Sequence, residues 1–144
     1  MSKRLEGKEG SVLLRVTDLC KNYAGPNGTL KVLRGVHFEA AQGEMVMILG
    51  RSGSGKSTLL HLLGGLDKPT SGTIWFQGID LARLNDRRMS EYRSKHVGFV
   101  FQFYYLLPEL TLFENVVLPS NIAGKLKKKQ AERLLDRVGL IDRK

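Results

Sequence analysis

The stretch that most restricts what this chain can become is Gly50-Arg51-Ser52-Gly53-Ser54-Gly55-Lys56-Ser57. It fits Gly, four residues, then Gly-Lys-Ser/Thr, the pattern of a phosphate-binding P-loop. Its flanks match what such a loop requires. Residues 45–49 form a continuous apolar run that reads as a buried parallel strand. Over residues 58–66, Leu59, Leu62, Leu63 and Leu66 recur on one face at helical spacing. The glycines therefore fall between a strand end and a helix start, where backbone N–H groups lack partners and can point at an anion. Gly50, Gly53 and Gly55 are expected to take left-handed angles and to let the backbone approach a polyphosphate. Lys56 would set its ammonium between the outer phosphates, and the Ser57 hydroxyl would ligate Mg²⁺. The plainer reading is a Gly/Ser turn with a helix cap. With 16 glycines in 144 residues, the bare pattern arises by chance with a probability on the order of a per cent. The strand before it and the helix after it weigh further against chance.

The rest of the chain is compatible with one globular domain: 42% of residues are hydrophobic and 26% charged. The net charge of +9 admits nucleic acid or an anionic membrane surface as partners. The basic residues are nevertheless spread along the chain, apart from a cluster at 125–129 that reads as a solvated face. The lone cysteine, Cys20, has no disulfide partner and no metal-ligand spacing around it, which fits a reducing compartment. Residues 1–10 are charged, lack an apolar centre and read as a disordered tail rather than a signal peptide. No run of 18 apolar residues predicts a membrane-spanning helix.

In chain order, residues 12–17 read as a strand, 24–29 as a turn cluster and 30–40 as a second strand region, a hairpin ahead of the loop. After the loop helix, residues 67–72 break the pattern and 73–76 form a short strand. Asp86 is a candidate cap for a helix to about Ser94, with Met89, Tyr92 and Arg93 on one side. Residues 97–101 read as a second core strand closed by Gln102, and 103–108 as an unusually apolar loop. Thr111 and Glu114 have the spacing of a capping box, and Pro119 is expected to stop or kink the helix that follows. Residues 127–138 are amphipathic, with Ala131, Leu134, Leu135 and Val138 aligned and Gly139 as a cap.

These pieces, in this order, resemble the front part of an ATP-binding cassette (ABC) transporter ATPase, most similar to subunits of lipoprotein-release and macrolide-export systems. The stretches that carry the resemblance are residues 33–36 (LRGV), 50–58, 62–67 (LLGGLD), 69–72 (PTSG), 97–102 (VGFVFQ), 106–111 (LLPELT) and 114–116 (ENV). The resemblance implies an α/β fold. It comprises a P-loop NTPase core, an antiparallel β subdomain and the start of a helical subdomain, truncated before the second half of the ATPase domain. The implied division is a β subdomain and core over about 11–102 and the start of the helical subdomain over about 103–144.

The resemblance also implies roles. Tyr23 falls where the family stacks an aromatic ring on adenine, a use that a flat apolar face permits. Gln102 matches the glutamine that, with Ser57, helps hold Mg²⁺ near the γ-phosphate. The cofactors are then ATP and Mg²⁺, bound through residues 50–58, Thr58 included, with Tyr23 and Gln102. The implied partners are a transmembrane permease subunit and a second ATP-binding subunit, with no nucleic acid. The implied location is cytoplasmic, peripheral on the inner face of the membrane through that permease, with the apolar loop after Gln102 helping to line the partner's groove. Arg51 departs from the small residue or proline of many members. The family's Leu-Ser-Gly-Gly-Gln signature, its Asp-Glu strand and its switch histidine do not occur in these 144 residues, and His37, His61 and His96 stand in other contexts. No catalytic residue is therefore assigned, and Mg-ATP binding is the most expected of these residues alone. A small-molecule kinase with the same loop, or a non-catalytic basic protein binding nucleic acid or lipid, are the rival readings.

Overall fold

The computed structural model describes residues 12–26, 28–124 and 127–143, which fall into two compact units divided between Arg93 and Ser94. The anticipated tail at 1–10, and Lys125 of the basic cluster, lie outside the described residues.

The first unit is built on a long hairpin, β1 (Val12–Gly25) and β2 (Gly28–Ala41), paired antiparallel from Val12↔Ala41 to Gly25↔Gly28. Both strands outrun the sequence expectation because the ladder continues into the anticipated turn cluster. β3 (Ser71–Phe76) pairs antiparallel with the other edge of β1, and β4 (Ile79–Asp80) with β3, giving the order β2-β1-β3-β4. β1 alternates only in part, because its register shifts between Val16 and Leu19 and again between Leu19 and Lys21. Asp18 sits at this bulge with φ 48°. Val16 and Leu19 of β1, Leu33 of β2 and Ile74 of β3 are buried.

α1 (Lys56–Leu63) follows the glycine loop and buries Leu59 and Leu62, while Leu63 is half-buried and Leu66 lies beyond the helix end, exposed. Gly65, at φ 67°, closes α1 with two reversed bonds: its N–H donates to Leu62 O at 3.1 Å and that of Leu66 to His61 O at 2.8 Å. After β4 and a short 3₁₀ turn (Leu81–Arg83), α2 (Asp86–His96) buries Met89 and Tyr92. Its cap is Asn85, whose Oδ1 accepts from Arg88 N at 3.0 Å, and not Asp86, which is already helical. α2 meets the end of α1: the Tyr92 hydroxyl donates to Leu63 O at 2.8 Å and Arg93 Nη1 to Gly65 O at 2.9 Å. These bonds satisfy carbonyls that a helix end leaves open, and the guanidinium suits the negative pole.

Two expected strands do not form. Residues 45–49 have no ladder partner among the described residues, and Met45, Met47 and Leu49 are 94%, 77% and 82% exposed. Residues 97–101, in the second unit, are likewise unpaired, with Val100 fully exposed and Phe99 stacked on Phe101 at 5.1 Å. An apolar run becomes a strand only where neighbours accept and donate along it, and the four-stranded sheet of the first unit ends at β2 and β4.

The second unit holds α3 (Leu112–Ile122) and α4 (Lys128–Arg137), with Val117, Ala131 and Leu135 buried. The capping box is complete. Thr111 Oγ1 accepts from Glu114 N at 3.2 Å, and Glu114 Oε2 accepts from Thr111 N at 2.8 Å. Asn115 pins the preceding loop, with Oδ1 accepting from Leu107 N at 2.9 Å and Nδ2 donating to Leu110 O at 3.1 Å. Pro119 does not end α3, which runs on to Ile122. It stands near the end, so only a short stretch of helix follows the N–H it lacks. α4 closes on Gly139 (φ 70°), whose N–H donates to Asp136 O at 3.0 Å, while Leu140 N donates to Leu135 O at 2.8 Å. Leu134 and Val138, expected on the buried face, are exposed. Among the described residues, no helix is long and apolar enough to cross a membrane.

Candidate functional site: the glycine loop and its surroundings

The loop carries its functional groups on backbone and side chain together. Gly53 and Gly55 take φ 75° and 91°, the left-handed region that side-chained residues avoid. Gly50 does not. A Cβ there would lie 2.6 Å from Ser54 Oγ, a contact that rotation of the serine side chain relieves. Gly55 has a second constraint: a Cβ would stand 2.9 Å from Leu33 Cδ2 and 3.1 Å from Val32 Cγ1. The loop's last glycine is thus seated on β2.

Gly55 caps α1 without a side-chain acceptor, and no acidic residue stands in the first turn. Leu59 N donates to Gly55 O at 2.8 Å, the first bond of the helical ladder. The N–H groups of Lys56, Ser57 and Thr58 precede that ladder and have no carbonyl behind them to reach. Partial positive charge collects there, as an anion site requires. Lys56 Nζ donates to Gly50 O at 2.9 Å and to Arg51 O at 2.8 Å, so the ammonium lies inside its own loop. Ser54 N donates to Arg51 O at 3.2 Å and tightens the same turn. Arg51, Ser52 and Ser57 are exposed, and Thr58 is half-buried. A backbone with two left-handed glycines, open N–H groups and one ammonium fits a polyphosphate. Ser57 offers a hydroxyl oxygen suited to a hard cation.

Tyr23, near the end of β1, is held on several sides. Its hydroxyl donates to Asp67 Oδ2 at 2.8 Å. Lys21 Nζ donates to Asp67 Oδ1 at 2.7 Å and to Lys68 O at 2.7 Å, and lies 4.7 Å from the centre of the Tyr23 ring. Lys68 N donates to Asp67 Oδ1 at 2.7 Å. Burial raises the Tyr23 phenol above its ordinary value, and the bond to Asp67 adds to the rise, while the Thr58 hydroxyl in α1 opposes it. For Asp67, burial pushes the carboxyl upward, but the bonds from Lys21, Tyr23 and Lys68 N outweigh it and hold the group below the usual range. Tyr23 as a whole residue remains 38% exposed.

The structure brings Tyr23 and Thr58 together through this electrostatic contact and leaves Gln102 in the second unit, exposed. Gln102 follows a run that forms no ladder, so the strand-end position expected for its amide is absent. No cluster of three metal-ligating His, Cys, Asp or Glu side chains occurs among the described residues. Sequence reasoning did not find Lys21 and Asp67 as partners of Tyr23. They are 46 positions apart, and no periodicity or motif links them.

A family model described as ABC transporter matches residues 33–144. The chain is 48% identical over 134 residues to an uncharacterized ABC transporter ATP-binding protein of Thermotoga maritima, covering 91% of this chain and 57% of that protein. It is 46% identical over 136 residues to the lipoprotein-releasing system ATP-binding protein LolD of Geobacter metallireducens, covering 92% and 60%. Among solved structures, it resembles the ATP-binding cassette MJ0796, a dimer in a post-hydrolysis state bound to ADP and Pi. The TM-score is 0.78 at 36% identity, over 85% of this chain and 56% of that one. The chain therefore spans little more than half the length of the relatives it matches.

Proposed function

Because this chain belongs to the ABC transporter family, as an ATP-binding component, we propose that residues 50–58 hold the phosphates of Mg-ATP while Tyr23 stacks on its adenine. The observation that carries the reading is the glycine loop itself. Two left-handed glycines turn its backbone, the first turn of α1 has neither acidic residue nor side-chain cap, and an ammonium lies within reach. An ammonium has three donors, and Lys56 spends two on Gly50 O and Arg51 O. The third is left for a phosphate oxygen, so the contacts that shape the loop are compatible with binding.

Bound Mg²⁺ supplies positive charge that offsets the phosphates. Ser57 Oγ is the ligand we assign to it. Tyr23 orients the base, and the N–H groups of Lys56, Ser57 and Thr58 orient the phosphates. No carboxylate in these 144 residues is assigned to orient an attacking water, so we propose that they bind Mg-ATP without appreciable turnover. In the larger assembly, the chain would act with a membrane permease and a second ATP-binding subunit to power export or lipoprotein release, peripheral on the cytoplasmic side.

Calorimetric titration of Mg-ATP into the purified chain tests this. Lys56→Ala is expected to weaken binding about ten- to a hundredfold, the range for a hydrogen bond to a charged group. Equal affinity in the two proteins would sink the phosphate reading. Phosphate release above the Lys56→Ala background would overturn the claim that these residues do not hydrolyse ATP.

A further inference from the structure

We infer that Asp67, itself held by Lys21, is a positioning residue that sets the Tyr23 ring for base recognition and leaves only one ring face for the base. This rests on the adenine reading of Tyr23 above and extends it to which groups make that ring a fixed platform.

A half-exposed tyrosine near a strand end can turn about χ1 and χ2, and each turn takes its face away from a stacked base. Here the phenol donates to Asp67 Oδ2 at 2.8 Å, which ties down the far end of the ring. The second oxygen, Oδ1, takes Lys21 Nζ and Lys68 N, both at 2.7 Å, so the carboxylate itself cannot swing. Lys21 Nζ is secured again by Lys68 O, and its side chain is only 11% exposed. Its ammonium lies over the ring at 4.7 Å from the centre, which occupies that face. A base must then approach the opposite face.

Asp67 is well placed for this role. It follows directly on the reversed turn at Gly65–Leu66 that closes α1, the helix whose first turn ends the phosphate loop. The same helix thus bears the phosphate donors at its start and the anchor of the base platform just beyond its end. A stack on an oriented ring loses less freedom on binding than one on a mobile ring.

The experiment compares ATP with tripolyphosphate, which has no base, on the full chain by competition binding. Tyr23→Ala is expected to weaken ATP roughly ten- to a hundredfold while leaving tripolyphosphate unchanged, the range for loss of a stacked base. Tyr23→Phe, which keeps the ring and removes the bond to Asp67, is expected to weaken ATP alone roughly three- to tenfold. Asp67→Asn and Lys21→Met should do the same, and Tyr23→Phe/Asp67→Asn should be no worse than either single change. If Tyr23→Ala is selective for ATP but Tyr23→Phe and Asp67→Asn match the parent, the adenine reading stands and the positioning role is overturned. If Tyr23→Ala affects both ligands equally, or neither, the adenine reading falls and this inference falls with it. An Asp67→Asn protein that loses both ligands alike would mark Asp67 as a general structural residue. Circular dichroism checks folding, and Tyr23→Phe keeps the test decisive should Asp67→Asn unfold.

Discussion

Single residues here are constrained by what lies within a few ångströms, and Gly72 is the sharpest case. It takes φ 87°, and a Cβ there would collide with the Asp18 carbonyl and stand 2.7 Å from Leu19 Cα, both backbone atoms at the β1 bulge. Gly78 has a similar φ of 79° with open space around it. Gly78→Ala should therefore carry only the left-handed strain, about 1–2 kcal/mol. Gly72→Ala should add a clash that backbone cannot relieve, for roughly 2–5 kcal/mol in all. Urea unfolding of the two variants checks the order, and equal midpoints would contradict it. Asp67 gives a second prediction, in pH. Its folded carboxyl is held below the ordinary carboxylate range, so its contribution to stability is complete above about pH 4 and is lost as pH falls through the folded value. Asp67→Asn should be less stable than the parent at neutral pH and should lose less on acidification. Melting temperatures between about pH 2 and 6 would show parallel curves if the shift contributes nothing.

The elements differ in how readily the sequence disclosed them, and the difference follows from how local their causes are. α3 begins where Thr111 and Glu114 put it because both partners of the capping box lie within one turn. Thr111→Ala should cost about 1 kcal/mol through loss of the cap, read as a lower unfolding midpoint with unchanged helix content at low denaturant. The end of α4 is equally legible, since the left-handed Gly139 lets its own N–H and that of Leu140 turn back onto the last carbonyls. The glycine loop is recognisable too, although Gly50, unlike Gly53 and Gly55, does not take a left-handed φ. Residues 45–49 and 97–101 read as strands and form none, for a reason the sequence does not contain. Apolar alternation or continuity reports what a strand would bury, and pairing depends on another segment supplying its N–H and C=O groups. Lys21 and Asp67 were missed for the same reason, since the bond between them spans β1 and the residues just beyond α1. At Pro119 the local rule predicts a stop or a kink, and of these the stop does not occur, since α3 runs on to Ile122.

At the scale of the whole molecule, the described residues leave unusual apolar surface open. Met45, Met47 and Leu49 in the first unit, and Val100, Tyr104 and Tyr105 in the second, are each more than two-thirds exposed. Patches of this kind on a soluble chain bind partners or self-associate, and an unpaired apolar run is a template for strand addition. We predict that the purified chain enhances the fluorescence of a hydrophobic dye and associates with rising concentration. Met47→Lys/Leu49→Lys should reduce both, and a monomer dark to the dye at all concentrations would refute the idea. The hairpin has a different bearing on the whole. Gly55 rests against Val32 and Leu33, so the β1–β2 arch acts as the anvil on which the phosphate loop is shaped. A survey of random variants, selected only for keeping hold of the triphosphate, would then be expected to return Val32 and Leu33 beside the glycines. Heritable information about the phosphate loop would then be written into a strand outside the loop itself.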